Sequence, residues 1–210
     1  MQRSAARLSS FSHLCDAIYF CDLNPASFYR FPLTSGGFQI SQGKCSCACA
    51  SCESCSCTHA CGCDQHFAFD VRADPFTDIL AARGGVVAAK SEGSFENCWG
   101  QDPCPGGEWG NYITIEHQDG TATSYMHMPG NVLLPNVGTR VRRGDLIGAT
   151  GNTGNSSDPH LHFQQQFSVD TGRTGQMRFN VWRLEGSLVL YQCLTPQEGD
   201  VLISNNAPPP

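Results

Sequence analysis

From Phe28 to Gln192 the chain is written in short runs of alternating apolar and polar residues, each stopped by glycine, proline or an Asp/Asn turn. That punctuation leaves little room for helix. Apolar residues at every second position turn one side of an extended strand inward, whereas a helix needs a period of about 3.6 sustained over about ten residues. Runs of the first kind fall at Phe28–Leu33, Phe38–Gly43, His66–Val71, Tyr112–His117, Ala122–Met128, Leu146–Gly148, His160–Phe163, Phe179–Leu184 and Leu188–Gln192. Ile79–Ala89 reads as two strands around Gly84-Gly85, and Val132–Val141 leads through an Arg143-Gly144-Asp145 turn. Asp119-Gly120 is a strong hairpin signal, because both residues tolerate the positive φ of a tight turn. The expected fold class is all-β.

A chain of 210 residues is long enough to bury a real core. The expected organisation is an extension of unassigned role over 1–27, one domain over 28–195 carrying a cysteine-rich insertion at 45–63, and a tail over 196–210. A net charge of −6 argues against nucleic acid, since affinity for phosphates rests on Lys and Arg. Arg140, Arg142 and Arg143 form a dense basic cluster that reads as a solvated turn. No stretch has the roughly 18 to 20 apolar residues of a membrane span, and Leu8–Phe20 is too broken by Ser, His and Asp to read as a secretory signal. Composition leaves the oligomeric state open.

Thirteen cysteines are present, eight of them between Cys45 and Cys63. Small residues separate those eight, so the segment has almost nothing apolar to bury. It reads as a disulfide-stapled loop, a thiolate metal cluster or a reduced loop, and the Cys-x-Cys spacing is unlike a zinc finger's. Cys98 and Cys104 are close enough to staple a small excursion within the 91–110 loop. Cys15 and Cys21 have each other or Cys193 as candidate partners.

The chemistry concentrates on histidines. In Asp158-Pro159-His160-Leu161-His162-Phe163 the two imidazoles stand two apart, so on a strand they share a face while Leu161 enters the core. The turn-rich run Gly151–Ser157 delivers them to a strand end, where functional residues concentrate. His66 and Asp70 share a face of an extended strand across the small Ala68, and Tyr125 and His127 are likewise two apart. His66, Asp70 and one of His160 or His162 make two imidazoles and a carboxylate. That set suits Zn2+ with an open position, a catalytic rather than a structural arrangement. His13 and His117 read as surface histidines.

His66-x-x-x-Asp70, Tyr125-Met126-His127, the glycine-spaced run from Gly138 to Gly154 and Pro159-His160-Leu161-His162-Phe163, in this order, resemble the lysostaphin-type zinc endopeptidases that cut peptidoglycan cross-bridges. The resemblance covers about residues 28 to 167. It implies a duplicated-hybrid-motif fold whose antiparallel sheets form an open groove, one catalytic Zn2+, peptidoglycan peptide as substrate, and a place outside the cytoplasm or at the cell envelope. It also implies that His66, Asp70 and His162 are the zinc ligands and that His127 and His160 activate water and stabilise the tetrahedral intermediate. The cysteine insertion stretches the link into the first ligand strand, so His59 is the alternative to His66; the four-residue spacing to Asp70 favours His66.

Two rival functions stand beside the enzyme: a catalytically silent wall-binding or regulatory module of the same fold, and a metal-storage or thiol-redox protein built on the cysteine segment. No expected ligand or catalytic position is missing, which counts against the first. The second has no use for the distant histidines. Which cross-bridge is cut has no motif of its own.

Overall fold

The computed structural model describes residues 29–34, 36–43, 59, 64–65, 67–101, 104, 107–175, 177, 179–185, 187–194 and 196–204. The thirteen strands among them are β1 (Gly36–Gln42), β2 (Phe69–Arg72), β3 (Asp78–Leu80), β4 (Gly85–Ser91), β5 (Asn111–Glu116), β6 (Ala122–Met128), β7 (Arg140–Val141), β8 (Leu146–Ala149), β9 (His160–Gln166), β10 (Thr174–Gly175), β11 (Phe179–Glu185), β12 (Ser187–Leu194) and β13 (Val201–Ser204). No helix occurs among the described residues, so the all-β expectation holds. One sheet runs β12-β11-β13-β1-β2-β9-β6-β5-β4-β7 with β10 paired to β9, and β3 pairs with β8 in a second, two-stranded sheet. Every strand pair is antiparallel.

Alternation decides which face is core. Phe69 and Val71 of β2 lie opposite Phe163 and Leu161 of β9, and all four are buried with Ile113, Ile115 and Tyr125 in one cluster. Fully burying a side chain of this size contributes about 1.5–3 kcal/mol. Tyr125 is enclosed completely, and its hydroxyl is not wasted there: it accepts from the Ala82 N–H at 2.8 Å and faces the Thr123 hydroxyl at 3.2 Å. The residues between these core positions, Asp70 and His162, are thereby turned to the opposite face.

The β5–β6 hairpin forms around Asp119-Gly120 as expected. Gly120 has φ of 81°, and Asp119 Oδ1 accepts from the N–H and hydroxyl of Thr121 at 3.1 and 2.7 Å. The β11–β12 hairpin also falls where alternation predicts it.

Several expectations need correction. Tyr29 and Leu33 make only isolated bridges, to Phe179 and Ile79, because Pro32 has no N–H to give a ladder. β3 ends before Gly84 and β4 begins at Gly85, but β3 leaves the main sheet to pair with β8. Val201–Ser204, assigned by sequence to the tail, forms β13 between β11 and β1, and Leu202 reaches the core. His117 is buried rather than at the surface, its Nδ1 lying 3.0 Å from the Gly84 carbonyl. The predicted extended run from His66 starts only at Phe69, since the Ala68 N–H turns back to the Gln65 carbonyl at 2.9 Å. Apart from His59, residues 45–63 lie outside the described residues, as do 1–28 with Cys15 and Cys21.

Candidate metal centre and catalytic histidines

Asp70 and His162 are direct cross-strand neighbours in the β2–β9 pair, which brings Asp70 Oδ1 to 2.8 Å from His162 Nδ1. The next pair on the same face, Arg72 and His160, places His160 Nε2 at 3.6 Å from the same oxygen. His59 comes in from outside the sheet, its Nε2 also 3.6 Å from Asp70 Oδ1 and its ring edge-on to His162 at 5.2 Å. His59, Asp70 and His162 each offer a ligand atom, all within 4.8 Å of one another. His66 lies outside the described residues.

The donor set fits a metal ion. His59 is wholly buried, and neither ring nitrogen has a hydrogen bond of ordinary geometry, although the nearby Gly43 backbone favours a proton on the ring. Leaving a buried polar nitrogen unpaired costs about 1–3 kcal/mol, and an ion at this point would remove that cost. His162 Nε2 lies 3.0 Å from Gln164 Oε1. Because that oxygen can only accept, Nε2 carries a proton; without a metal Nδ1 also donates to Asp70, and a cation there would take the place of that proton between Nδ1 and the carboxylate. Two imidazoles and a carboxylate are a set that Zn2+ accepts.

Burial pushes His59 down to about 4, with the attraction of Asp70 offsetting part of the shift. Burial also works against the Asp70 carboxylate, but His59 and His162 outweigh it and hold the carboxyl well below its usual range. For His162 burial acts downward and Asp70 overrides it, so the net direction is up.

The two remaining histidines are held through Nδ1. His160 Nδ1 donates to the Asp158 carbonyl at 2.8 Å, with the Ser156 hydroxyl 3.1 Å away. His127 Nδ1 donates to the Thr153 carbonyl at 2.8 Å. Both anchors leave Nε2 unprotonated in the neutral ring. The His127 ring lies 4.7 Å from that of His160 and 6.0 Å from that of His162. Burial, then the neighbouring His160 and His162, bring His127 down to about 3.

Strict alternation would have sent His127 into the core beside Tyr125, the face the sequence predicts for it. Instead His127 has φ of 64°, a left-handed conformation that breaks the alternation and turns its ring to the Asp70 face. Its N–H bonds to the Trp109 carbonyl at 3.1 Å, beside a register irregularity between Asn111 and Ile113. Gly151 packs where a Cβ would sit 2.7 Å from the His127 carbonyl, so the glycine-spaced run has a steric role next to the site.

Asp70, His127, His160 and His162 line a cleft of about 340 Å³. Its flank is the 96–110 excursion, stapled by the expected Cys98–Cys104 disulfide. Asn97 Nδ2 donates to the carbonyls of Asn152 and Ser156 at 2.8 and 2.6 Å, and Cys98 and Gly154 are tied by a 2.9 Å backbone bond. The excursion thus braces the very loop whose Thr153 and Ser156 hold the two histidines. Gln164, Thr153, Ser156 and Asn97 are supporting residues that sequence reasoning missed. Gln164 was within reach of the alternation rule, standing two residues beyond His162, whereas the others support partners far away in the chain.

The profile of peptidase family M23 matches residues 64–173, more than half of the chain. The peptidoglycan DD-endopeptidase ShyC of Vibrio cholerae is 34% identical over 99 residues, covering 47% of this chain and 19% of that protein. An uncharacterized metalloprotease of Buchnera aphidicola is 47% identical over 55 residues, covering 26% of this chain and 14% of that protein. The chain therefore spans less than a fifth of the length of these two relatives. Among solved structures, a zinc-containing peptidase from Vibrio cholerae aligns with a TM-score of 0.44 at 20% identity, over 71% of this chain and 40% of that one. Lysostaphin from Staphylococcus simulans aligns with a TM-score of 0.40 at 28% identity, over 53% of this chain and 41% of that one.

Proposed function

This chain belongs to peptidase family M23, and from that premise we propose that it is a zinc-dependent endopeptidase that hydrolyses peptide cross-bridges of bacterial peptidoglycan. The observation that carries the reading is the meeting of buried His59 with Asp70 and His162, the last two of which line one open cleft with His127 and His160. A ligand set alone suits a storage or structural site; two further imidazoles with free Nε2 atoms suit proton transfer. The name of the Vibrio cholerae relative supports peptidoglycan as the substrate, and that substrate puts the protein at the cell envelope.

His59, Asp70 and His162 would hold the ion, and His59 is taken over His66 because it meets Asp70 while the chain turns between Gln65 and Ala68. Bound there, zinc supplies Lewis-acid polarisation of the scissile carbonyl and acidifies water toward a pKa of ~7. His160 and His127, anchored through Nδ1, offer Nε2 to take a proton from the attacking water and return it to the leaving amine, and in protonated form to hold the developing oxyanion. Asp70 opposes its charge to the cation, and Gln164 keeps the His162 tautomer that leaves Nδ1 free.

The test is digestion of purified peptidoglycans with different cross-bridges, with and without a chelator, followed by mass spectrometry of the released peptides. Chelator-sensitive release of peptides with one new amino terminus is expected. Intact peptidoglycan of every type in the presence of zinc would rule the reading out.

A further inference from the structure

Metal binding and proton transfer leave one wall of the cleft without a role. Trp99, Glu108 and Trp109 line it beside the histidines. Trp99 is 62% and Trp109 38% exposed, so two large indoles stand in water next to a metal-ligand set, the Trp109 ring 6.1 Å from that of His162. Ligand clefts are lined largely by apolar and aromatic side chains with a few placed polar groups, the composition of this wall.

The wall is built before any ligand arrives. Besides the disulfide and the Asn97 bonds, the Trp109 carbonyl is held by the His127 N–H and the Glu108 carbonyl by the Asn155 N–H at 2.9 Å. Gln65, which also lines the cleft, has a buried Oε1 with no hydrogen-bond partner. A carboxylate, an unused carbonyl oxygen and two electron-rich ring systems all attract positive charge. Among the described residues lining the cleft there is no lysine or arginine. An indole face binds an ammonium by the pull of its quadrupole, more strongly where water is displaced.

We propose that this wall is a subsite for a primary ammonium group carried by the substrate peptide near the scissile bond. The inference rests on the endopeptidase reading and gives it a substrate class: peptides with a free side-chain or terminal amine.

Acetylation of that amine removes the charge while keeping the chain in place, so it isolates the interaction. Two synthetic peptides sharing one scissile bond, one with a free flanking lysine amine and one acetylated there, are compared with the zinc-loaded protein. A kcat/KM about 3- to 10-fold higher for the free amine is expected, the range of one cation–π contact assisted by a partly screened ion pair, and the preference should shrink with added salt. Glu108→Gln and Trp99→Ala should each bring the ratio toward one, with zinc content unchanged. Quenching of tryptophan fluorescence by the same peptides gives the comparison without turnover. Equal or absent binding of the two peptides by the wild type overturns the subsite whether or not either is cut. Failure to cut purified peptidoglycan is a separate result that sinks the endopeptidase reading.

Discussion

At the scale of single residues, His127 concentrates backbone strain beside the candidate metal ligands. An L-residue in the left-handed region costs about 1–2 kcal/mol relative to glycine, and here that cost turns the ring away from the core and toward His160 and His162. His127→Gly should therefore be more stable than His127→Ala by about 1 kcal/mol, as read from urea unfolding. Equal stabilities would show that the φ of 64° is not maintained in solution. The proposed roles separate into residues that would hold the ion and residues that would move protons. Ligands set metal affinity, whereas a proton-transfer group acts on the transition state. We expect His59→Ala and His162→Ala to lose zinc and activity together, and Asp70→Asn to weaken zinc binding. His127→Ala and His160→Ala should keep zinc while losing about 10²- to 10⁴-fold in kcat. Metal analysis of the purified variants decides it, and a zinc-free but folded His127→Ala protein would reverse the assignment.

Among the elements, the β5–β6 hairpin shows how a turn is held by charge. Burial acts against ionisation of Asp119, but the Thr121 bonds and the Arg83 guanidinium at 2.8 Å outweigh it and bring the carboxyl down to about 2. A depressed carboxyl contributes stability that is present above its unfolded value near 3.9 and is lost as pH falls through the folded value. Because Asp119 is half exposed, solvent screening limits the contribution to about 1 kcal/mol at most. Asp119→Asn should lower the urea midpoint at pH 7, and the deficit should narrow from pH 4 to pH 3. A deficit independent of pH would mean that the turn depends on shape and not on the charge. The 96–110 excursion works differently, as a brace: its hydrogen bonds run to the loop carrying Thr153 and Ser156, so its order is coupled to the aim of two histidines in other elements.

For the molecule as a whole, three histidines are buried with lowered affinity for protons: His59 and His117 to about 4, and His127 to about 3, burial being the leading cause in each. Such groups bind protons in the unfolded chain first, so their contribution is complete above about 6.5 and is lost as pH falls toward the folded values. His162 has the opposite sign, since its raised value adds stability below about 6.5 that fades as pH rises through the folded value. Three groups against one predict that the metal-free protein loses stability between pH 6.5 and 4. The core does not include the candidate ligands His59, Asp70 and His162, so the metal-free protein should nonetheless stay folded at pH 7.5, unlike small zinc modules. His117→Gln should lose stability less steeply with acidification than the wild type in urea titrations at stepwise pH. Identical slopes would show that His117 is reached by water in the native state.

What the amino-acid order determined by itself is what depends on neighbours a few residues apart. Strand class, the Asp119-Gly120 hairpin, the shared face of His160 and His162, and the short Cys98–Cys104 loop all follow from period-two alternation, turn chemistry or close spacing. Other features only the assembled sheet decided. The meeting of His59 with Asp70 is one, because spacing pointed to His66 on a strand that begins only at Phe69. The ring of His127 is another: its face depends on a φ of 64° imposed by the Trp109 carbonyl and the packing of Gly151, contacts no local pattern encodes. The placing of Val201–Ser204 as an inner strand is a third. Alternation sets which face a side chain takes only while the backbone stays extended. Where the chain turns left-handed, or where ligands come from segments far apart, the outcome rests on long-range hydrogen bonds and close packing that exist only once the strands have paired.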